Sequence, residues 1–399
     1  MGVAAGAVDG DGCSGLADAA PLPTGAAVHA AASVMTDTHA PTRLIRSTID
    51  SPKDEWVEHC AAVGGHVNAP FEGPAYHRPM SIWFGFHLPS YTHPDTPPER
   101  LFDRVVEQAK AAEEAGFDLV TVMDHLYQIP GVGRIDEPML EGWSVLAALA
   151  RETSRVRLGT LVTGVTYRNP ALLAKQVTTL DTISGGRALL GLGAAWNDVE
   201  HEGYGFDFPP VRERMDRLEE ALAIIKAMFD EERPTFRGTH YRIEQALNLP
   251  RPVQHGGPPI LVGGGGEQRT LRIAAKYADM THWFPLGMAT LKRKDDLLIR
   301  YCEEIGRDPS TIQRTMATPV VVAGSEAEAK AALETLPPER RPYINIGVPE
   351  QAAEALQPYI DAGFTGFTFN NTIYRTPEQI GRIGELLRLV GGERVATPA

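Results

Sequence analysis

Strand-length apolar runs alternate with helix-length amphipathic segments from residue 81 almost to the end of the chain. Leu119–Met123 (LVTVM) is an apolar run that predicts a strand covered on both faces, as in a parallel sheet. Glu99–Ala115 places its apolar residues on one helical stripe, and Gly116 follows as a typical residue after a helix end. This alternation predicts an α/β fold.

The pattern predicts eight strands and about eight helices. The strands are expected at Ser81–Leu88, Leu119–Met123, Val156–Thr163, Arg187–Gly193, Pro259–Val262, Met280–Phe284, Arg314–Ala323 and Gly366–Asn370. The helices are expected at Glu99–Ala115, Glu141–Thr153, Ala171–Ile183, Val211–Phe229, Gln268–Tyr277, Ala289–Ile305, from Glu326, and from Pro377 to Val390.

Eight βα units in one chain favour a (β/α)8 TIM barrel, with a doubly wound open sheet as the alternative. The segment Asn197–Leu249 is longer than one βα unit requires. It therefore predicts an insertion at the C-terminal face of the barrel, with a small excursion at Gly238–Ile243. The barrel domain is expected to span residues 80–399.

Residues 1–79 differ from this domain because their first part is rich in Ala and Gly and lacks apolar periodicity. Such a composition buries too little apolar area to offset the entropy of ordering. The sequence therefore predicts a largely disordered leader. It does not resemble a secretory signal, since no Lys or Arg precedes the Asp residues at 9, 11 and 18.

Composition excludes several classes of function. The net charge of −13, from 38 basic and 51 acidic residues, argues against a general nucleic-acid binder. No apolar run is long enough to span a membrane. Cys13, Cys60 and Cys302 have no disulfide or zinc-ligand spacing, and no metal site is expected. The few Cys residues and the lack of a signal predict a cytoplasmic protein.

In a TIM barrel, the chemistry lies where strands end at the C-terminal face. No HxH pair, HExxH motif or P-loop occurs there, which argues against metal-dependent hydrolases and P-loop enzymes. The residues at the predicted strand ends are mostly His, aromatic and small: His87 and Tyr91, Asp124 and His125, Gly164, Gly193, Trp196 and Asn197, Gly263–Gly266, and His282.

The Gly263–Gly266 run precedes a helix, so its backbone N–H groups and the helix dipole suit a phosphate. Arg269 is placed to add a charge-assisted hydrogen bond. This combination suits a nucleotide-like cofactor such as a flavin. A plain tight turn between strand and helix explains the glycines equally well.

Four segments resemble the luciferase-like monooxygenase superfamily, and in particular its branch of oxidoreductases that depend on the deazaflavin coenzyme F420. The matching segments are Ala115–His125 (AGFDLVTVMDH), Arg157–Gln176, Thr179–Asn197 and Pro258–Asp279. The resemblance covers residues 80 to 390 and implies a TIM barrel that holds the cofactor's ring system at its C-terminal mouth.

The resemblance also implies which residues bind the cofactor. Asp124 and His125 would contact the ring, and an unusual cis peptide near Leu161-Val162 would press on its face with Gly164 nearby. Residues after the fourth strand would line the other side of the ring, and the glycine turn would hold the phosphate. The remaining residues implied to bind the cofactor are Gly193, Trp196, Asn197, Gly264, Gly265, Gly266 and Arg269.

The resemblance implies hydride transfer between coenzyme F420 and a small organic substrate. We expect His125 to act as general acid or base, since its ordinary pKa lies near ~6.5. The alternative is that it only binds the ring or stiffens the loop. Asp124 is expected to orient His125 or the cofactor. Arg168 and Lys175 are interpreted as solvated charges near a helix start, with contact to anionic groups of the cofactor as the alternative.

Trp196 is interpreted as a wall for the ring or the substrate, or else as a plain core aromatic. His87 and Tyr91 are candidates for the substrate pocket. An FMN-dependent monooxygenase that uses reduced flavin and O2 is the alternative function, and a flavin-binding protein without turnover is a third. The expected partners are a small-molecule substrate, a flavin or F420 reductase that supplies the cofactor, and a second copy in a homodimer.

Overall fold

The computed structural model describes residues 82–335 and 341–391, which all lie in one compact unit. The predicted disordered leader, residues 1–79, lies outside the described residues. None of the described helices is both long enough and apolar enough to cross a membrane.

The described residues form thirteen strands and ten α-helices. The strands are β1 Trp83–Leu88, β2 Leu119–Val122, β3 Arg157–Thr160, β4 Thr163–Gly164, β5 Ala188–Gly193, β6 Phe236–Arg237, β7 Arg242–Ile243, β8 Ile260–Gly263, β9 Met280–Trp283, β10 Gln313–Ala317, β11 Val320–Val322, β12 Asn345–Gly347 and β13 Phe364–Asn370. The helices are α1 Leu101–Ala115, α2 Gly142–Glu152, α3 Pro170–Ser184, α4 Asp198–Tyr204, α5 Val211–Asp230, α6 Thr270–Tyr277, α7 Met288–Glu304, α8 Glu326–Thr335, α9 Pro349–Asp361 and α10 Pro377–Gly391.

Nine of these strands form a closed parallel barrel in the order β1-β2-β3-β5-β8-β9-β10-β13, with β13 pairing back to β1. The ninth, β4, continues the path of β3 and pairs with β5 at Thr163 and Gly164. The barrel therefore has eight strand positions, and the predicted TIM barrel is confirmed. Because all strands are parallel, their C-terminal ends meet at one face.

The barrel strands are covered on both faces: one set of side chains packs inside the barrel and the alternate set packs against the helices. Leu119, Leu189, Leu261 and Met280, one each from β2, β5, β8 and β9, pack together as a small cluster apart from the main core. Alternate residues such as Val120, Leu190 and Val262 belong to the main core with the helices. The small cluster closes the inside of the barrel below its mouth.

Most predicted elements occur where the sequence placed them, and the excursion at Gly238–Ile243 is the β6–β7 hairpin. The predicted single strand Arg314–Ala323 is wrong, because the chain breaks at Thr318-Pro319. Only β10 belongs to the barrel, whereas β11 pairs with β12 in a separate two-stranded sheet. Proline has no N–H for a sheet ladder, which accounts for a break at this position.

Candidate functional site

The C-terminal mouth of the barrel brings together most of the residues that the sequence analysis singled out. His87 lies in β1, Asp124 and His125 follow β2, Gly164 ends β4, and Gly193 ends β5. Their strands are neighbours in register, since His87 pairs with Thr121 and Gly164 pairs with Gly193. These residues therefore surround one opening.

His125 is held by a carboxylate that the sequence analysis did not assign. Its Nδ1 lies 2.6 Å from Oε1 of Glu200, and both side chains are largely buried. Oε2 of Glu200 accepts a hydrogen bond of 2.7 Å from the N–H of Leu126, and Tyr167 donates its hydroxyl to Oε1. Burial alone disfavours a charged Glu200, but the hydrogen bonds from His125, Tyr167 and Leu126 together lower its pKa.

The short helix α4 brings Glu200 to this position. It lies in the first turn of the helix, which ends at Gly205 with a left-handed φ of 71°. A residue with a side chain pays a conformational cost at such a φ, whereas glycine does not. Glu200 is 75 residues from His125 in sequence, and no local pattern links the two. The only feature of the sequence that could have marked Glu200 as a site residue was its position shortly after the fourth predicted strand.

Asp124 has no hydrogen bond to His125 among the described residues, so the first half of the expectation, that it orients His125, is wrong, while a role toward the cofactor stays a prediction. Its carboxylate is almost fully buried and accepts two hydrogen bonds from Arg168, of 2.5 and 3.0 Å. Arg168 also donates to Glu141 at 2.6 Å. Burial raises the pKa of Asp124, and the guanidinium opposes that rise. Arg168 is therefore part of a buried ion pair and not a solvated charge.

The third strand is interrupted at the mouth, as the resemblance implied. The peptide bond Leu161-Val162 is cis, which confirms that expectation. A Cβ added to Gly193 would lie 3.0 Å from Cγ2 of Val162, and one added to Gly263 would lie 2.9 Å from its Cγ1. A larger residue at either strand end would press against Val162, so the two glycines leave room for its side chain at the mouth.

The glycine turn lies between β8 and α6. Neither Gly265 nor Gly266 donates its N–H to another described residue, so both remain open to a ligand at the mouth. Lys294 donates to the carbonyl of Gly265 at 2.5 Å and lies 3.6 Å from Glu267. Arg269 precedes α6 and contacts Asp216 at 2.6 Å. Two cations thus lie close to the turn, each with a carboxylate partner.

Two imidazoles lie deeper in the mouth and are uncharged at neutral pH. Burial lowers the pKa of His87 to about 4 and that of His282 to about 3. Nδ1 of His87 lies 2.9 Å from Oγ1 of Thr121. The candidate Tyr91 is fully buried, and its hydroxyl has no partner among the described residues. It therefore lies behind the mouth and does not line its surface.

Trp196 is 55% exposed, which excludes a core role. Its ring meets the imidazole of His125 edge-on, with centroids 5.6 Å apart. The side chain of Asn197 is buried, and the backbone carbonyl of the same residue lies 2.6 Å from Nδ1 of His201. Trp196 is thus an accessible aromatic wall beside His125, while the side chain of Asn197 is closed to solvent. Lys175, finally, donates to the carbonyl of Leu249.

Comparison with known proteins adds a family match and several relatives. Residues 80–379 match the family model described as luciferase-like monooxygenase. The chain is 32% identical to an F420-dependent glucose-6-phosphate dehydrogenase of Kineococcus radiotolerans over 305 residues, which cover 68% of this chain and 87% of that protein. It is 33% identical to an F420-dependent hydroxymycolic acid dehydrogenase of Mycobacterium tuberculosis over 234 residues, which cover 58% of this chain and 62% of that protein.

Among solved structures, an F420-dependent secondary alcohol dehydrogenase in complex with an F420-acetone adduct superimposes with a TM-score of 0.66. It is 20% identical in sequence, and the match covers 78% of this chain and 99% of that one. At this identity the likeness establishes the shared fold.

Proposed function

Because the chain belongs to the luciferase-like monooxygenase family, we propose that it transfers a hydride between coenzyme F420 and a small, uncharged organic substrate. The observation that carries the proposal is the barrel mouth, where His125, the interrupted third strand and the glycine turn face one opening. The names of the relatives at 32% and 33% identity support F420 as the cofactor.

The residues of the mouth fit a flat ring that carries a phosphate. The side chain of Val162 occupies the space that Gly193 and Gly263 leave by lacking a Cβ. From there it would contact the face of the ring. The free N–H groups of Gly265 and Gly266, with the N-terminus of α6, would bind the phosphate. Arg269 and Leu161 would complete the contacts. When bound, F420 supplies a ring carbon that accepts or donates a hydride.

His125 would move the proton that accompanies the hydride. Its Nε2 has no protein partner among the described residues, and its ring lies beside the exposed Trp196. When the substrate is a carbinol, the C–H bond breaks with its electron pair leaving as hydride, and the O–H proton passes to His125. Asp124 would act indirectly, by holding the end of β2 through its ion pair with Arg168.

The substrate end of the mouth suits an uncharged molecule with an apolar body. His87 and His282 are neutral, so they offer hydrogen bonds without charge. The loop after β9 exposes Phe284, and the loop after β13 exposes Ile373. Arg168, the cation beside the end of β2, already has a carboxylate partner in Asp124.

The test is a fluorescence titration of the purified chain with F420 and, separately, with FMN. We expect micromolar or tighter binding of F420 and much weaker binding of FMN. Turnover is then followed as loss of the deazaflavin's visible absorbance with secondary alcohols and with glucose 6-phosphate. Binding of FMN without binding of F420 would reject the proposal in favour of an FMN-dependent monooxygenase. Binding of F420 without turnover of any substrate would favour a protein that only binds the cofactor.

A cofactor used in this way has to be returned to its starting redox state by a second enzyme. We therefore retain the expectation of an F420 or flavin reductase as the partner that exchanges cofactor with this chain. The expected homodimer and the cytoplasmic location also stay predictions.

A further inference from the structure

Glu200 ties three segments of the mouth together. Its carboxylate meets His125 on the loop after β2, Tyr167 after β4, and the backbone N–H of Leu126, while the residue itself lies on α4 after β5. The side chain is fully buried. A buried carboxylate is stable only when hydrogen bonds replace its water, and here each oxygen has at least one donor.

These contacts fix which nitrogen of His125 carries the proton. The lowered pKa of Glu200 keeps it ionised at neutral pH, and an ionised carboxylate only accepts hydrogen bonds. Nδ1 of His125, 2.6 Å away, must therefore be the protonated nitrogen of the neutral ring. Nε2 then holds a lone pair and has no partner among the described residues.

The surroundings of His125 restrict access to that lone pair. Trp196 covers one side of the ring edge-on at 5.6 Å, and the His125 side chain keeps only 12% of its exposure. Among the described residues, His87 couples electrostatically to His125 and Tyr167 contacts Glu200, while Asp124 couples to Tyr167. Asp124 is neutralised by Arg168, and His87 is uncharged at neutral pH.

We propose that Glu200 is the positioning residue that makes His125 a proton acceptor. It holds the imidazole in the tautomer with a free Nε2 and stabilises the imidazolium that forms when the substrate's proton arrives. The inference rests on the proposed function, because it assigns Glu200 a part in that hydride transfer. The hydride leaves with the electron pair of the substrate C–H bond to oxidised F420, and the proton goes to Nε2 of His125.

The rival explanation is that Glu200 only staples the loops, through Leu126 and Tyr167. Glu200→Gln separates the two, because a glutamine keeps the size and one acceptor oxygen. Its amide nitrogen would face Nδ1 of His125 and favour the opposite tautomer. Tyr167→Phe is the matched control, since it also removes one hydrogen bond to Glu200 but leaves the tautomer of His125 alone.

The first measurement is the ring 15N spectrum of His125 in the protein without cofactor. We expect the wild type and Tyr167→Phe to show a protonated Nδ1 at a pH where the ring is neutral, and Glu200→Gln to show a protonated Nε2. The same tautomer in wild type and Glu200→Gln would overturn the inference. This result does not depend on cofactor or substrate.

The second measurement is kinetic and uses the chain loaded with F420. We expect Glu200→Gln to lower kcat about 100-fold or more, with F420 affinity unchanged within about threefold. The acid limb of its kcat profile should move to lower pH, because the carboxylate no longer stabilises imidazolium. Tyr167→Phe should lower kcat far less than Glu200→Gln does and should leave the acid limb in place, since the carboxylate opposite Nδ1 of His125 remains.

Three outcomes are distinguishable. Equal losses in Glu200→Gln and Tyr167→Phe, with an unmoved pH profile, would leave only the loop staple and overturn the inference. Retained kcat in Glu200→Gln would overturn it as well, although F420 turnover by the wild type would still uphold the proposed function. Failure of the wild type to bind F420 would overturn the proposed function and, with it, the kinetic role of Glu200.

Discussion

At the scale of single residues, the neutral state of the inner imidazoles follows from their hydrogen bonds as well as from burial. The hydroxyl of Thr315 donates to the carbonyl of Thr281 at 2.6 Å, so its oxygen accepts from Nδ1 of His282 at 2.9 Å. Nε2 of His282 is then an acceptor, with the hydroxyl of Thr368 at 3.4 Å. Protonation would place a buried charge inside the barrel, where no carboxylate of the described residues pairs with His282, which accounts for the pKa of about 3.

This arrangement predicts that His282 makes the protein sensitive to mild acid. The folded pKa of about 3 lies below the value of 6.5 in the unfolded chain. Below pH 6.5 the unfolded chain therefore takes up a proton that the folded chain does not, and stability falls with pH. Between pH 6.5 and 5 the loss for one such group is roughly 2 kcal/mol of the free energy of unfolding.

His282→Gln removes this titration while keeping a hydrogen-bonding side chain. Urea unfolding measures the free energy of unfolding of both proteins at pH 7 and pH 5. Relative to wild type, we expect that of the variant to be about 2 kcal/mol more favourable at pH 5 than at pH 7. His255→Gln, at an exposed imidazole, is measured in parallel. A gap that stays the same at both pH values would show that His282 does not carry the effect.

At the scale of elements, β3 and β5 pair so that two of their glycines leave no room for a side chain. A Cβ added to Gly191 would lie 2.0 Å from the carbonyl oxygen of Thr160, and one added to Gly159 would lie 2.5 Å from that of Leu189. Both obstacles are backbone atoms of neighbouring strands, which do not swing aside as a side chain does. The end of β3, just before the cis bond at the mouth, can thus lie where it does only because β5 has a glycine, Gly191, beside Thr160.

Gly191→Ala is therefore expected to destabilise the barrel severely, by about 3 kcal/mol or more, or to prevent folding. Gly381→Ala is the matched control, because Gly381 lies inside α10 with nothing within 4 Å of the added Cβ. Alanine favours a helix over glycine, so this variant should gain roughly 0.5–1 kcal/mol. Thermal melting of both variants checks the prediction, and similar melting temperatures for the two would contradict it.

The elements also show what the sequence can and cannot predict. The strands were predictable because two-sided burial leaves an apolar run, and α1 because its stripe ends at a glycine. The helices α4 and α9 were not, since α4 is short and polar and α9 follows the break after β10. The cis bond at Leu161-Val162 came only from the family resemblance, because no local pattern encodes it. The role of Glu200 was missed and Arg168 was wrongly interpreted as a solvated charge, because their partners are distant in sequence.

At the scale of the whole barrel, the exposed large apolar side chains are distributed unevenly between its two ends. Trp196, Phe284 and Ile373 each lie on a loop that follows a barrel strand, so all three lie at the C-terminal end with His125. Phe284 is 76% exposed. Isolated exposed apolar residues are ordinary on a protein surface, but several around one chemical site are typical of a binding surface for an apolar ligand.

This distribution predicts a dependence of turnover on the length of the substrate's alkyl chain. Each methylene that Phe284 covers is worth about 0.8 kcal/mol, or about fourfold in kcat/KM. In a series of secondary alcohols, kcat/KM should thus rise with chain length in the wild type and rise much less in Phe284→Ser. Binding of F420 should be unchanged, because the cofactor contacts lie on other loops.

Ile305→Ser is the control for this last experiment, since Ile305 is 54% exposed but follows α7 at the opposite end of the barrel. It should keep the wild-type dependence on chain length. A uniform fall in kcat/KM for all alcohols in Phe284→Ser would mean that the loop after β9 supports the site without touching the substrate. Faster turnover of glucose 6-phosphate than of any alcohol would contradict the prediction. The preferred substrate would then be charged and polar, and the exposed apolar side chains would not bind an alkyl chain.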